Sequence, residues 1–66
     1  PITPEISRVA INLLKKYRLS HGLHILDALI MATGIIHRLP IITANVKDFH
    51  YVEELKIIPW PIKNHE

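Results

Sequence analysis

An α/β layer fold is the architecture this sequence predicts. Three observations predict it: two apolar helical stripes fill the first half, a β-branched run follows at Ile41-Ile42-Thr43, and a second short extended run lies at Lys56-Ile57-Ile58. The chain has 66 residues, which allows one domain at most. A body this short buries roughly 60% of the surface its unfolded form exposes, so its stability is marginal unless a disulfide, a metal or a partner helps. Cysteine is absent, which removes disulfides and thiolate zinc sites together and fits a reducing, cytoplasmic setting. Apolar residues make up 48% of the chain, and its own polar groups cannot cover that much on so small a body. Association is therefore expected, as a homo-oligomer or with a missing piece.

The first helix is predicted over 5–18. Thr3-Pro4-Glu5 supplies a hydroxyl at the N-cap, proline at the first helical position and an acid next. Ile6, Val9, Ala10, Leu13, Leu14 and Tyr17 recur at helical spacing and form one stripe. Lys15, Lys16 and Arg18 place positive charge at the end where the macrodipole favours it, and Ser20 to Gly22 reads as a connection. The second helix is predicted over 24–37. Ile25, Leu26, Leu29, Ile30, Ile35 and Ile36 leave it hardly any polar face, so it belongs inside a structure, covered on both sides. Its apolar segment is interrupted by His24 and Asp27 and falls short of the ~20 residues a membrane span needs. No membrane association and no signal peptide is expected.

A strand-helix-strand segment is predicted over 40–58. Pro40 pushes Leu39 towards an extended conformation, and Ile41-Ile42-Thr43 has the pattern of a buried parallel strand. Asn45 to Tyr51 is polar and reads as a short helix or turn; Lys56-Ile57-Ile58 is a second strand, ended by Pro59, with an irregular tail over 59–66. Two such short strands make a poor sheet. The pattern predicts a partial fold lacking strands, in keeping with the surplus of apolar residues. The chain opens with proline, which fits either removal of an initiator or excision from something longer.

One polar constellation stands out. Asp27 lies in the first turn of the apolar helix, where it is either an acid at the positive helix end, capping it, or a carboxylate held for a metal or a water. From Asp27 to His37 the helix climbs about 15 Å at 1.5 Å per residue. Pro40 to Ala44 as a strand returns about 16 Å. Asn45 should therefore arrive level with Asp27, at the carboxyl end of a strand, where open α/β sheets place ligands. Asp48 follows one turn later. The three oxygen donors could converge on one hard cation; Asn45 and Asp48 equally resemble an N-cap with its reciprocal acid.

Two linked stretches carry a family resemblance. His24-Ile25-Leu26-Asp27-Ala28-Leu29-Ile30-Met31-Ala32-Thr33 and Leu39-Pro40-Ile41-Ile42-Thr43-Ala44-Asn45-Val46-Lys47-Asp48-Phe49 resemble the C-terminal half of PIN-domain nucleases. The likeness is closest to the toxin ribonucleases of VapBC toxin–antitoxin pairs. It covers about residues 5 to 59 and is most specific between Asp27 and Phe49. It implies a partial PIN-like fold and an endoribonuclease dependent on Mg2+ or Mn2+, with RNA as substrate and an antitoxin as partner. Asp27 matches the family's third acidic position and Asn45 its fourth; Asp48 matches an assisting acid and Thr43 a hydroxyl beside the site. Arg18, Arg38 and Lys47 are candidates for the RNA backbone, although each is also an ordinary solvated charge. The family's first Asp and its Glu have no counterpart here, Glu5 being too near the start. His24 stands where a small capping residue is common, and Gly34 where alanine is common. With those ligands missing, catalysis by this chain alone is not expected.

Other functions are weaker. The net charge of +2 is too small to argue nucleic-acid binding by itself. His21, His24 and Asp27 are spaced by threes, as zinc ligands can be, but no fourth ligand is evident and a helix start intervenes. A helix-turn-helix reader would need a second helix far less apolar than this one. The serious rival is a non-catalytic interaction or dimerisation module derived from a PIN domain.

Overall fold

The computed structural model describes residues 2–61. Helix α1 runs from Pro4 to His21. Thr3, in extended conformation, opens it by accepting the Ile6 N–H on its hydroxyl at 3.2 Å. The helix continues past the predicted end at residue 18, and Ser20 and His21 form its last turn rather than a connection. A helix stops where the chain can turn left-handed, and Gly22 is the first residue to do so, with φ 67°. Its N–H donates to the Arg18 carbonyl at 2.9 Å.

Helix α2 spans Ile25–His37, with His24 at the N-cap contributing no side-chain hydrogen bond. It ends at Arg38, a non-glycine residue at φ 56°. The Leu39 N–H closes that end on the Gly34 carbonyl at 2.9 Å, just before Pro40 forbids further helix.

Ile6, Ala10 and Leu13 of α1 meet Ala28, Met31 and Ala32 of α2 in the core, all at most 5% exposed. Phe49, Val52 and Leu55, from the segment between the strands, close it from below. Gly34 lets α2 approach the sheet: a Cβ there would meet Ile41 Cδ1 and the Leu39 carbonyl at 3.1 Å and Leu55 Cδ1 at 3.2 Å.

Strands β1 (Ile41–Thr43) and β2 (Ile57–Pro59) pair in parallel, Ile41 with Ile57, Ile42 with Ile58 and Thr43 with Pro59. The architecture is therefore α/β, with two helices and a two-stranded parallel sheet. Strand β2 lies one residue later than predicted and includes Pro59. Proline is tolerated there because it holds the last ladder position, and the next N–H, that of Trp60, donates to the Thr43 carbonyl at 2.9 Å. Residues 62–66 of the predicted tail lie outside the described residues.

One burial expectation is met and one corrected. Helix α2 is not covered on both sides within this chain, in keeping with the expected surplus of apolar surface: Ile25 and Leu26 are 65% and 66% exposed. Strand β1 is parallel but not buried, with Ile42 58% exposed and Ile41 and Thr43 half-buried. Among the described residues no helix is long and apolar enough to cross a membrane.

Candidate functional site

Asp27 enters from the first turn of α2 and Asp48 from the single 3-10 turn Val46–Asp48 that follows β1. Both line one cleft of about 170 Å³, together with His21, Gly22, His24 and Tyr51. Asp27 is half-buried and Asp48 exposed. Among the described residues no hydrogen bond engages either carboxylate. The capping role for Asp27 is thus not realised; its helix begins with the Ala28 N–H on the His24 carbonyl at 2.9 Å.

Asn45 lies outside the lining of this cleft. The regular strand is three residues long, so it returns about 10 Å, less than the five-residue strand expected. Asp48, one turn further on, reaches the cleft instead. Asn45 caps nothing with its side chain; its N–H donates to the Thr43 hydroxyl at 3.0 Å, which shapes the turn leading to Asp48. The Asp48 N–H in turn donates to the Asn45 carbonyl at 3.0 Å.

The basic candidates separate. Arg18 lines an adjoining cleft that shares Leu23 and His24 with the acidic one. Lys47 precedes Asp48 in the 3-10 turn. Arg38 sits at the opposite end of α2 from Asp27, near Glu54 and Lys56, away from the acids.

Sequence reasoning missed the aromatic wall. His21 stacks on Tyr51 with ring centroids 3.9 Å apart and planes 16° from parallel. Tyr17 packs against Tyr51 at 4.8 Å and meets His21 edge-on at 5.6 Å. The available signal was Tyr17 and His21 four apart on one helix, with Tyr51 three after Asp48. Burial holds the Tyr51 hydroxyl above its ordinary 10.0, helped by the negative charges of Asp27 and Asp48 and then by Tyr17. Both carboxylates therefore act on the same phenol.

Against known proteins, the chain is 43% identical over 54 residues to Ribonuclease VapC of Rickettsia bellii (strain RML369-C), a stretch that takes in 82% of this chain. The chain is VapC-like. The match spans 39% of that protein's length. No family model matches the chain, and no solved structure matches it. The PIN-like reading of the α/β layer therefore rests on the relationship to the VapC protein.

The divalent cation expected from the sequence can be tested against the donor set. Two carboxylates in one cleft, neither hydrogen-bonded among the described residues, fit a hard cation that keeps most of its waters, as Mg2+ does with one or two carboxylates. They do not make an enclosed site. Among the described residues no three His, Asp or Glu side chains are grouped to hold a metal, His21, His24 and Asp27 included. Zinc wants four close ligands, and His21, His24 and Asp27 do not form such a set.

Proposed function

We propose that this chain provides part of a divalent-metal-dependent endoribonuclease of the VapC type, hydrolysing RNA phosphodiesters. One observation carries the reading: on a VapC-like sequence, Asp27 and Asp48 share a cleft, and among the described residues no hydrogen bond engages either carboxylate. In this reading Asp27 and Asp48 bind Mg2+ or Mn2+, Asn45 adds a ligand through a bridging water, and Thr43 sets the turn that positions Asn45. Arg18, from the adjoining cleft, and Lys47, next to Asp48 in the chain, hold the RNA backbone. A cation bound there supplies the acidity that activates water and the charge that neutralises the phosphate. Two carboxylates cannot supply the whole ligand set, so the chain is inactive by itself and acts with further PIN-fold residues. A cytoplasmic setting and an antitoxin partner belong to the same reading.

A second reading is favoured by a separate observation. Leu26 and Ile30 of α2 and Ile42 of β1 are large, apolar and exposed. They suit a non-catalytic module that pairs with another polypeptide surface. The two readings part over metal. In a titration with Mn2+ followed by NMR, the nuclease reading expects selective broadening at Asp27 and Asp48, extending to Asn45. Broadening elsewhere, or none at all, would refute the cation site on which the nuclease reading depends.

A further inference from the structure

The wall of the acidic cleft has chemistry that the nuclease reading does not use. His21 closes α1 immediately before the left-handed Gly22, so its ring projects from a helix end beside an opening in which nothing lies within 4 Å of a Gly22 Cβ position. The imidazole is fixed twice: Tyr51 stacks on it at 3.9 Å, and its Nδ1 lies 2.8 Å from the Ser20 hydroxyl. Despite these contacts His21 is exposed. A planar ring backed by a second ring, open to solvent and sharing a cleft with Asp27 and Asp48, is a surface on which another flat ring can stack. Nucleobases are such rings, and single-stranded RNA offers them unpaired. Arg18 lies one turn back on the same helix and lines the adjoining cleft, within reach of the strand's phosphates.

We propose that His21, backed by Tyr51, is the stacking platform for an unpaired nucleobase of the RNA strand, setting which phosphate comes to rest over Asp27 and Asp48. The inference rests on the proposed ribonuclease reading and adds a specificity-determining residue to it. Stacking tolerates any base, so the platform fixes register more than sequence.

The test uses the whole chain with two probes: a single-stranded hexanucleotide made non-cleavable by 2′-O-methylation, and an abasic hexamer of equal charge. NMR is expected to show upfield shifts of the His21 and Tyr51 ring protons with the first probe and none with the second. His21→Ala should weaken hexanucleotide binding about five- to a hundredfold, and His21→Phe, which keeps a ring, should stay within about threefold of the parent. Equal binding of the two probes, no binding of either, or equal losses in the Ala and Phe variants would overturn the platform. The probe comparison on the unsubstituted chain decides the matter even if a variant misfolds. Mn2+ broadening, read separately, keeps the two ideas distinct: ring shifts without broadening at Asp27 and Asp48 refute the cation site alone, and broadening without ring shifts refutes the platform alone.

Discussion

Asp27 and Asp48 line the same cleft although one sits in the first turn of α2 and the other beyond β1. Two carboxylates in one cleft repel one another, which is tolerable in water and becomes favourable when a cation lies between them. Tyr51 feels both charges, and that makes it a reporter of the site.

The Tyr51 hydroxyl ionises above 10.0 because burial and the two acids oppose a third negative charge. A phenol whose pKa is raised by folding leaves stability level below its unfolded value and lowers it as pH climbs through the folded value. Alkaline unfolding should therefore steepen above about pH 10. Tyr17→Phe leaves Tyr51 as the sole tyrosine, so tyrosinate absorbance follows it alone. In that background Asp27→Asn should lower the midpoint, and Asp48→Asn should lower it less. Calcium, which stays soluble at this pH, should lower it too by neutralising both acids. An unchanged midpoint in all three cases would show that the acids do not share this cleft.

The chain alone should release no product from RNA above background in Mg2+, because two carboxylates leave the ligand set incomplete. A gel-based cleavage assay checks this. Clear cutting that disappears in Asp27→Ala would show that two acids suffice.

Helix α2 packs on the sheet at Gly34, where an added methyl meets a backbone carbonyl at 3.1 Å. Gly34→Ala gains up to about 1 kcal/mol of helix propensity but overpacks the interface at about 1–3 kcal/mol. Net destabilisation of about 1 kcal/mol is expected by urea unfolding. Thr3→Ala should lose about 1 kcal/mol by removing the N-cap hydrogen bond to Ile6.

Exposed Leu26, Ile30 and Ile42 are too much apolar surface for so small a body to leave wet. Sedimentation at micromolar concentration should reveal dimers or larger species, and the double substitution Leu26→Lys with Ile30→Lys should return them to monomer. A clean monomer of the unsubstituted chain would refute the sticky face.

Much of this architecture was legible because local rules agree with the fold. The Thr3-Pro4-Glu5 start, the stripe through Ile6, Ala10 and Leu13, and the β-branched run at Ile41 each express a single spacing or cap, and each appears where that rule puts it. The α1 end was missed because nothing in Leu19-Ser20-His21 forbids helix; only the left-handed Gly22 does. The candidate site was half legible. A length calculation brings β1 back towards Asp27, but it counted Ala44 as strand; the regular strand ends at Thr43, and of the two residues expected beyond it Asp48 lines the cleft while Asn45 does not. The His21–Tyr51 stack joins a helix end to a loop across the fold, and no periodicity in a single sequence encodes such a meeting.

The shared cation site is tested most directly by diffraction from crystals grown in Mn2+, reading the anomalous difference map. One peak bonded to the carboxylates of both Asp27 and Asp48, absent in Asp27→Asn crystals, is the expected result. A map with no peak in that cleft, or carboxylates turned apart with manganese bound elsewhere, would contradict it.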